Sequence, residues 1–192
     1  VTLNYGTIGL NDSGGNVVTN GSGGVVTINN GIITTNDAGA SVGTNSTTGQ
    51  ITTNASGGTV TLNDGQISTN AYGGTVTYNG ELTGLVNSNA GLVSNNYNVV
   101  STNESGATIQ SNAAQGSVGD NLGQVQGNYG NVTTNTGTVT DNYGVVTDNN
   151  NAVTTNQNGG TVTSNNATVT TNALGGTVVT NQSGATVTTN EG

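Results

Sequence analysis

The sequence predicts an all-β fold, a parallel β-solenoid (β-helix). Three observations predict it. A Val or Ile recurs along the whole chain, always followed three residues later by Asn. The residues around it are rich in Thr and Val, β-branched types that favour strands. Gly closes most intervals, where a turn must bring the chain back. Self-similarity at a short fixed period is the mark of a repeat architecture, because one unit alone cannot bury its apolar side chain.

The unit has the form x-(Val/Ile)-x-x-Asn-x-Gly, as in Asn131 to Gly137 and Thr138 to Gly144. Longer versions add two residues in the turn, as in Gln50 to Gly58, and the unit Thr75 to Gly84 adds three. The register holds from Val1/Asn4, Ile8/Asn11, Val17/Asn20 and Val26/Asn29 through to Val187/Asn190, giving 24 units. We therefore expect residues 1–192 to form a single solenoid without a capping element. A chain starting at Val1 suits a processed chain or a piece of a longer one.

Within a unit, side chains alternate faces, so the Val/Ile and the residue two later are expected inside. The large residues at that second position are Leu3, Leu10, Ile28, Leu62 and Tyr78. Asn and Gly tolerate left-handed backbone angles and are expected to make the turn. Stacked Asn amides can also hydrogen-bond to one another and to turn carbonyls.

The number of units per coil sets the cross-section. In threes, coil lengths run from 21 to 25 residues; in pairs they run from 14 to 19. Stacked coils favour equal lengths, so three sides with about 25 residues per coil is the expectation. The alternative is a two-sided solenoid of about 16 per coil, which the duplication of Gln50–Gly65 as Gln66–Glu81 favours. On the three-sided reading the structural Asn ladders hold Asn4, Asn29, Asn54 and Asn79 on one face and Asn20, Asn45, Asn70 and Asn95 on another. The matching core residues are Val26, Ile51 and Val76, then Val42 and Ile67, with Val139, Val162 and Val187 in later coils. Eight such coils would make a rod of about 38 Å at the usual strand spacing of about 4.8 Å.

Composition narrows the function. Lys, Arg, His, Cys, Pro, Met, Trp and Phe are all missing, and the net charge is −9. Without cationic side chains the chain cannot neutralise nucleic-acid phosphates or anionic lipid. No apolar run approaches 18 residues, so no transmembrane helix and no membrane insertion are expected. Without His, Cys, Lys or Arg, there is no nucleophile–base triad, no Schiff-base lysine and no zinc site. Only a carboxylate pair could catalyse. We expect no enzyme, no catalytic residue, no cofactor and no metal.

Four patterns remain. In threes, Asp12, Asp37 and Asp64 share one corner, where a hard cation could relieve their repulsion. The chain resembles the RTX calcium β-roll in its Gly/Asn-rich solenoid character. However, its Gly pairs are followed by Thr-Val, as in Gly74-Thr75-Val76, so the calcium motif is absent. Tyr5, Tyr97, Tyr129 and Tyr143 fall in turns and are expected on the surface. Asn-x-Ser/Thr sequons occur, for example at Asn20, Asn54, Asn103 and Asn181. Thr-x-Thr pairs occur at Thr59/Thr61, Thr75/Thr77, Thr138/Thr140, Thr161/Thr163, Thr168/Thr170 and Thr186/Thr188, and they resemble the Thr ranks of ice-binding solenoids. In threes, the pairs starting at 138, 161 and 186 would stack on one face.

As a whole the chain resembles extracellular fibrous β-solenoid repeat proteins in architecture, with no specific family named. That resemblance implies a structural protein: a subunit or segment of a fibre or surface adhesin stalk. It would lie outside the cell or on its surface. Its partner would be itself, stacked head to tail or continued as a longer repeat chain. Ice binding is the alternative, and a carbohydrate-binding β-helix a second one.

Overall fold

Each unit forms one short strand, and the strands alternate between two sheets. The computed structural model describes residues 1–192. All 24 strands end on the repeat's Asn, from Leu3–Asn4 and Thr7–Asn11 at one end to Thr177–Asn181 and Thr186–Asn190 at the other. Each sheet holds twelve strands, and every pairing is parallel. The first sheet runs from Leu3–Asn4 through Asn16–Asn20 and Ile32–Asn36 to Thr177–Asn181; the second runs from Thr7–Asn11 through Val25–Asn29 to Thr186–Asn190. One coil is therefore one strand from each sheet.

This overturns the three-sided expectation. Successive Asn residues in one sheet are separated by 14 to 19 residues, most often 16. The solenoid is two-sided, with twelve coils and a length of about 58 Å at about 4.8 Å per coil. Equal coil length was the wrong criterion. Extra residues sit in turns outside the strands, so they leave the register untouched. The coil that runs from Asn70 to Asn89 spans 19 residues and the next spans 14, yet Asn70, Asn89 and Asn103 stay in one column. The better criterion is strand pairing: each strand pairs with the strands two units before and after it, and one Val or Ile per unit fills the gap between the two facing sheets.

The core is that gap. Twenty Val and Ile side chains form one continuous cluster at 0–1% exposure. Each contributes roughly 1.5–3 kcal/mol by leaving water. Val26, Val42, Val76 and Val139 line it from the second sheet, and Ile51, Ile67 and Val162 from the first. Val187, in the last strand, is only partly buried.

The second inward position is a further correction. Leu3, Leu10, Ile28 and Tyr78 are exposed, and Leu62 is half-buried. Strand register explains this. Thr75, Val76, Tyr78 and Asn79 pair with Leu92, Val93, Asn95 and Asn96, while Thr77 is skipped. The same skip recurs along both sheets. The strand thus bends just after its Val, so two consecutive side chains face solvent and the Asn turns back inside. Strict alternation would have sent that Asn outward.

Apart from the longer turn between Asn79 and Leu85, the turns are of two lengths. In the long turn Ala55-Ser56-Gly57-Gly58, the Gly58 amide donates to the Ala55 carbonyl at 2.9 Å and Gly57 has φ +79°. A positive φ at the third residue of a β-turn calls for Gly. No residue other than Gly has positive φ, so the repeat's Asn is not a left-handed turn former, contrary to expectation. In the short turn Asn121-Leu122-Gly123, the amides of Leu122 and Gly123 both donate to the Asn103 carbonyl one coil earlier, at 2.8 and 3.1 Å. That convergence leaves no room at Gly123. An added Cβ would stand 2.4 Å from the carbonyls of Ala107 and Glu104.

Gly123→Ala is expected to lower the thermal midpoint clearly, with a loss of about 2 kcal/mol or more from forced backbone movement. Gly9→Ala, where a Cβ meets nothing within 4 Å, is expected to change stability by less than about 0.5 kcal/mol. Paired melting curves followed by circular dichroism check both.

Candidate functional site

The most organised chemical feature is a pair of Asn ladders, one along each edge of the core. Asn sits last in every strand, where the bend carries its side chain inward. Asn54 shows the pattern. Its Nδ2 donates to Asn70 Oδ1 at 2.8 Å, to the Gly58 carbonyl at 3.1 Å and to the Thr75 carbonyl at 3.2 Å. Its Oδ1 accepts from Asn36 Nδ2 at 2.8 Å. Its main-chain carbonyl accepts from the Ala71 amide at 2.9 Å.

Every ladder bond runs the same way, from Nδ2 of one coil to Oδ1 of the next, at 2.7–2.8 Å. From Asn20 to Asn165 every ladder side chain is at 0% exposure, and no buried side-chain polar atom lacks a partner. A carboxamide carries two N–H donors and an acceptor oxygen on one uncharged group, which a rung that bonds to the next rung and to nearby carbonyls requires. The second donation, to turn and strand carbonyls, satisfies groups that water cannot reach.

The expected ladder members are regrouped. Asn4, Asn20, Asn54 and Asn70 belong to the first sheet's ladder, and Asn29, Asn45 and Asn79 to the second's. The 25-residue columns Asn4–Asn29–Asn54–Asn79 and Asn20–Asn45–Asn70–Asn95 do not exist, because spacing by three units crosses from one sheet to the other. Asn95 lies outside the ladder altogether. It pairs in register with Tyr78 and Ser111 on the outer face, half-buried, while its neighbour Asn96 bonds to Asn79 and Asn112. Two adjacent asparagines obscured the choice, and counting three from Val93 resolves it.

The acidic residues are scattered. Asp12 and Asp64 follow strands of the second sheet and Asp37 a strand of the first, so the expected common corner is not formed. No group of three acidic residues is placed to hold a metal ion. Four of the six tyrosines come together in two pairs. Tyr129 and Tyr143, both exposed, stack in successive coils with centroids 4.8 Å apart and planes 3° apart. Tyr78 and half-buried Tyr97 stack more loosely, at 6.4 Å and 24°. Leu62 and Leu82 lie in the same shallow depression as this second pair.

The Thr residues are re-sorted. Thr161/Thr163 lies on the first sheet, apart from Thr138/Thr140 and Thr186/Thr188 on the second, so the expected stack of those three pairs is not formed. A different rank appears on the last four strands of the second sheet. One column reads Thr138, Ala152, Thr168, Thr186, and another reads Asp141, Thr155, Thr171, Thr189. Between them each strand carries an outward Thr140, Thr154, Thr170 or Thr188. The bend after each Val places both of the last two Thr positions outside, which alternation alone does not predict.

Compared with known proteins, the chain matches no family model, no curated protein and no solved structure.

Asn112→Asp tests the ladder at a fully buried rung. The new carboxylate cannot donate to Asn128 Oδ1, Gly116 O or Asn131 O, all of which Asn112 now serves. We expect a loss of about 3 kcal/mol at pH 7. Burial raises the new carboxyl's folded pKa above its unfolded value of about 4. The cost is therefore least below about pH 4 and grows as pH rises towards the folded pKa. Urea titrations at pH 3 and pH 7 against the parent check the sign.

Proposed function

We propose that the chain is a structural rod, a subunit or segment of an extracellular fibre or surface adhesin stalk. It acts by extension rather than by chemistry, and its partner is the next coil of the same kind, supplied by another copy or by a longer chain. One observation carries the proposal: both ladders, both sheets and the core repeat from coil to coil with one polarity. Any continuing coil must present an Asn Oδ1 to the preceding Nδ2 and a Val over the preceding Val. Such a surface selects its own kind, as exposed parallel strand edges do. The residue inventory supports a non-enzymatic role, since no His, Cys, Lys or Arg is present. The same inventory argues against nucleic acid as a partner.

A second reading has its own observation. The Thr rank on the last four strands of the second sheet is in register and solvent-facing, broken only by Ala152 and Asp141, which suits ice binding.

Negative-stain electron microscopy of the concentrated chain tests the first reading. Filaments one solenoid wide are expected. Uniform short rods of about 58 Å at every concentration would overturn coil-on-coil assembly by this chain. For the second reading, a nanolitre osmometer should record thermal hysteresis that Thr154→Tyr abolishes; no hysteresis in the parent chain ends it.

A further inference from the structure

Eight Asn residues in the chain stand in Asn-x-Ser/Thr sequons: Asn11, Asn20, Asn45, Asn54, Asn103, Asn131, Asn166 and Asn181. The fold divides them. Asn11, Asn20, Asn45, Asn54 and Asn103 are buried ladder rungs, with Asn11 at 6% exposure and the others at 0%. In each the Nδ2 that a glycan would occupy already donates to the next rung at 2.7–2.8 Å. Asn131 and Asn166 belong to neither ladder, and both are exposed. Asn131 opens its strand with Thr133 on the same outer face, and Asn166 lies in a turn, where its Nδ2 donates only to Asn150 Oδ1. Asn181, the final rung of the first sheet's ladder, is exposed and accepts from Asn165 Nδ2, so it belongs to neither group.

We propose that the folded rod can carry N-linked sugar at Asn131 and Asn166, and that N-glycosylation of the other five positions is mutually exclusive with the fold. The reaction joins Nδ2 to C1 of an activated sugar. The bond from C1 to the leaving phosphate oxygen breaks, and Nδ2 loses one proton. At a rung this removes one of the two N–H groups that the ladder and the turn carbonyls share, and it puts a sugar where there is only close-packed core. At Asn131 and Asn166 neither cost arises. The chain therefore has to fold before it meets a glycosylating enzyme, or reach its destination by a route without one.

The test co-expresses the 192-residue chain in a bacterium with a soluble N-glucosyltransferase that uses a nucleotide-activated glucose. Peptide mapping by mass spectrometry then locates glucose in the soluble and insoluble fractions separately. Soluble rods are expected to carry glucose at Asn131 and Asn166 and none at the five rungs, with rung glucose confined to insoluble chains. Rung glucose on soluble chains with an intact β-sheet spectrum and a cooperative melt would overturn the exclusion. Absence of glucose from both Asn131 and Asn166 in the soluble rods would overturn their assignment as open sites.

Discussion

The structure depends on one hydrogen bond repeated along two lines: Asn Nδ2 of one coil to Asn Oδ1 of the next. The Val stack alone could slip, since apolar contact is not directional. The amide ladder removes that freedom, because a coil displaced by one residue would leave buried donors and acceptors unpaired on both edges. It also sets where each strand ends. The Asn carbonyl receives the turn amide of the following coil, so side chain and main chain of the same residue bind the same neighbour. A narrow core can be stable under these terms even though apolar residues make up only 30% of the chain. Polar side chains are placed inside it, and every buried side-chain polar atom has a partner.

Much of this was legible in the residues. The Val-to-Asn spacing marked all 24 strands, and the hydrogen-bonding capacity of Asn pointed to a ladder. The cross-section was harder. Turn insertions mimic a 25-residue period from Asn4 to Asn29 to Asn54 to Asn79, and comparing coil lengths rewards that coincidence. A separation of three between two invariant inward residues held part of the missing information. In an unbent strand, Val76 and Asn79 would face opposite ways. Having both inside requires a bend, and a bend leaves one Val per strand for the interior, while the two-sheet arrangement itself shows only in the pairing of every second unit. Tyr78 and Leu62 misled for the same reason, because size suggested burial where the bend leaves Tyr78 exposed and Leu62 half-buried.

The candidate surface features were visible only in part. Thr-x-Thr stood out as a motif, but which pairs share a face depends on the number of sides. The continuous Thr rank therefore emerged only once Thr138, Thr168 and Thr186 were on one sheet and Thr161 on the other. The tyrosine stacks needed the same knowledge, since Tyr129 and Tyr143 are neighbours in space because their units are two apart.

The turn between Asn79 and Leu85 departs from the rest by its length, yet Asn79 still bonds to Asn96 and Leu85 still pairs with Gln66 and Val99. The strands on either side do not register its presence. A scaffold with that property behaves as a ruler: its graduations come at about 4.8 Å, and whatever is mounted on a turn is held at a known mark without altering the scale. Variation can accumulate along the edges of such a molecule while its interior stays invariant, so recognition and support can diverge at separate rates within one short chain.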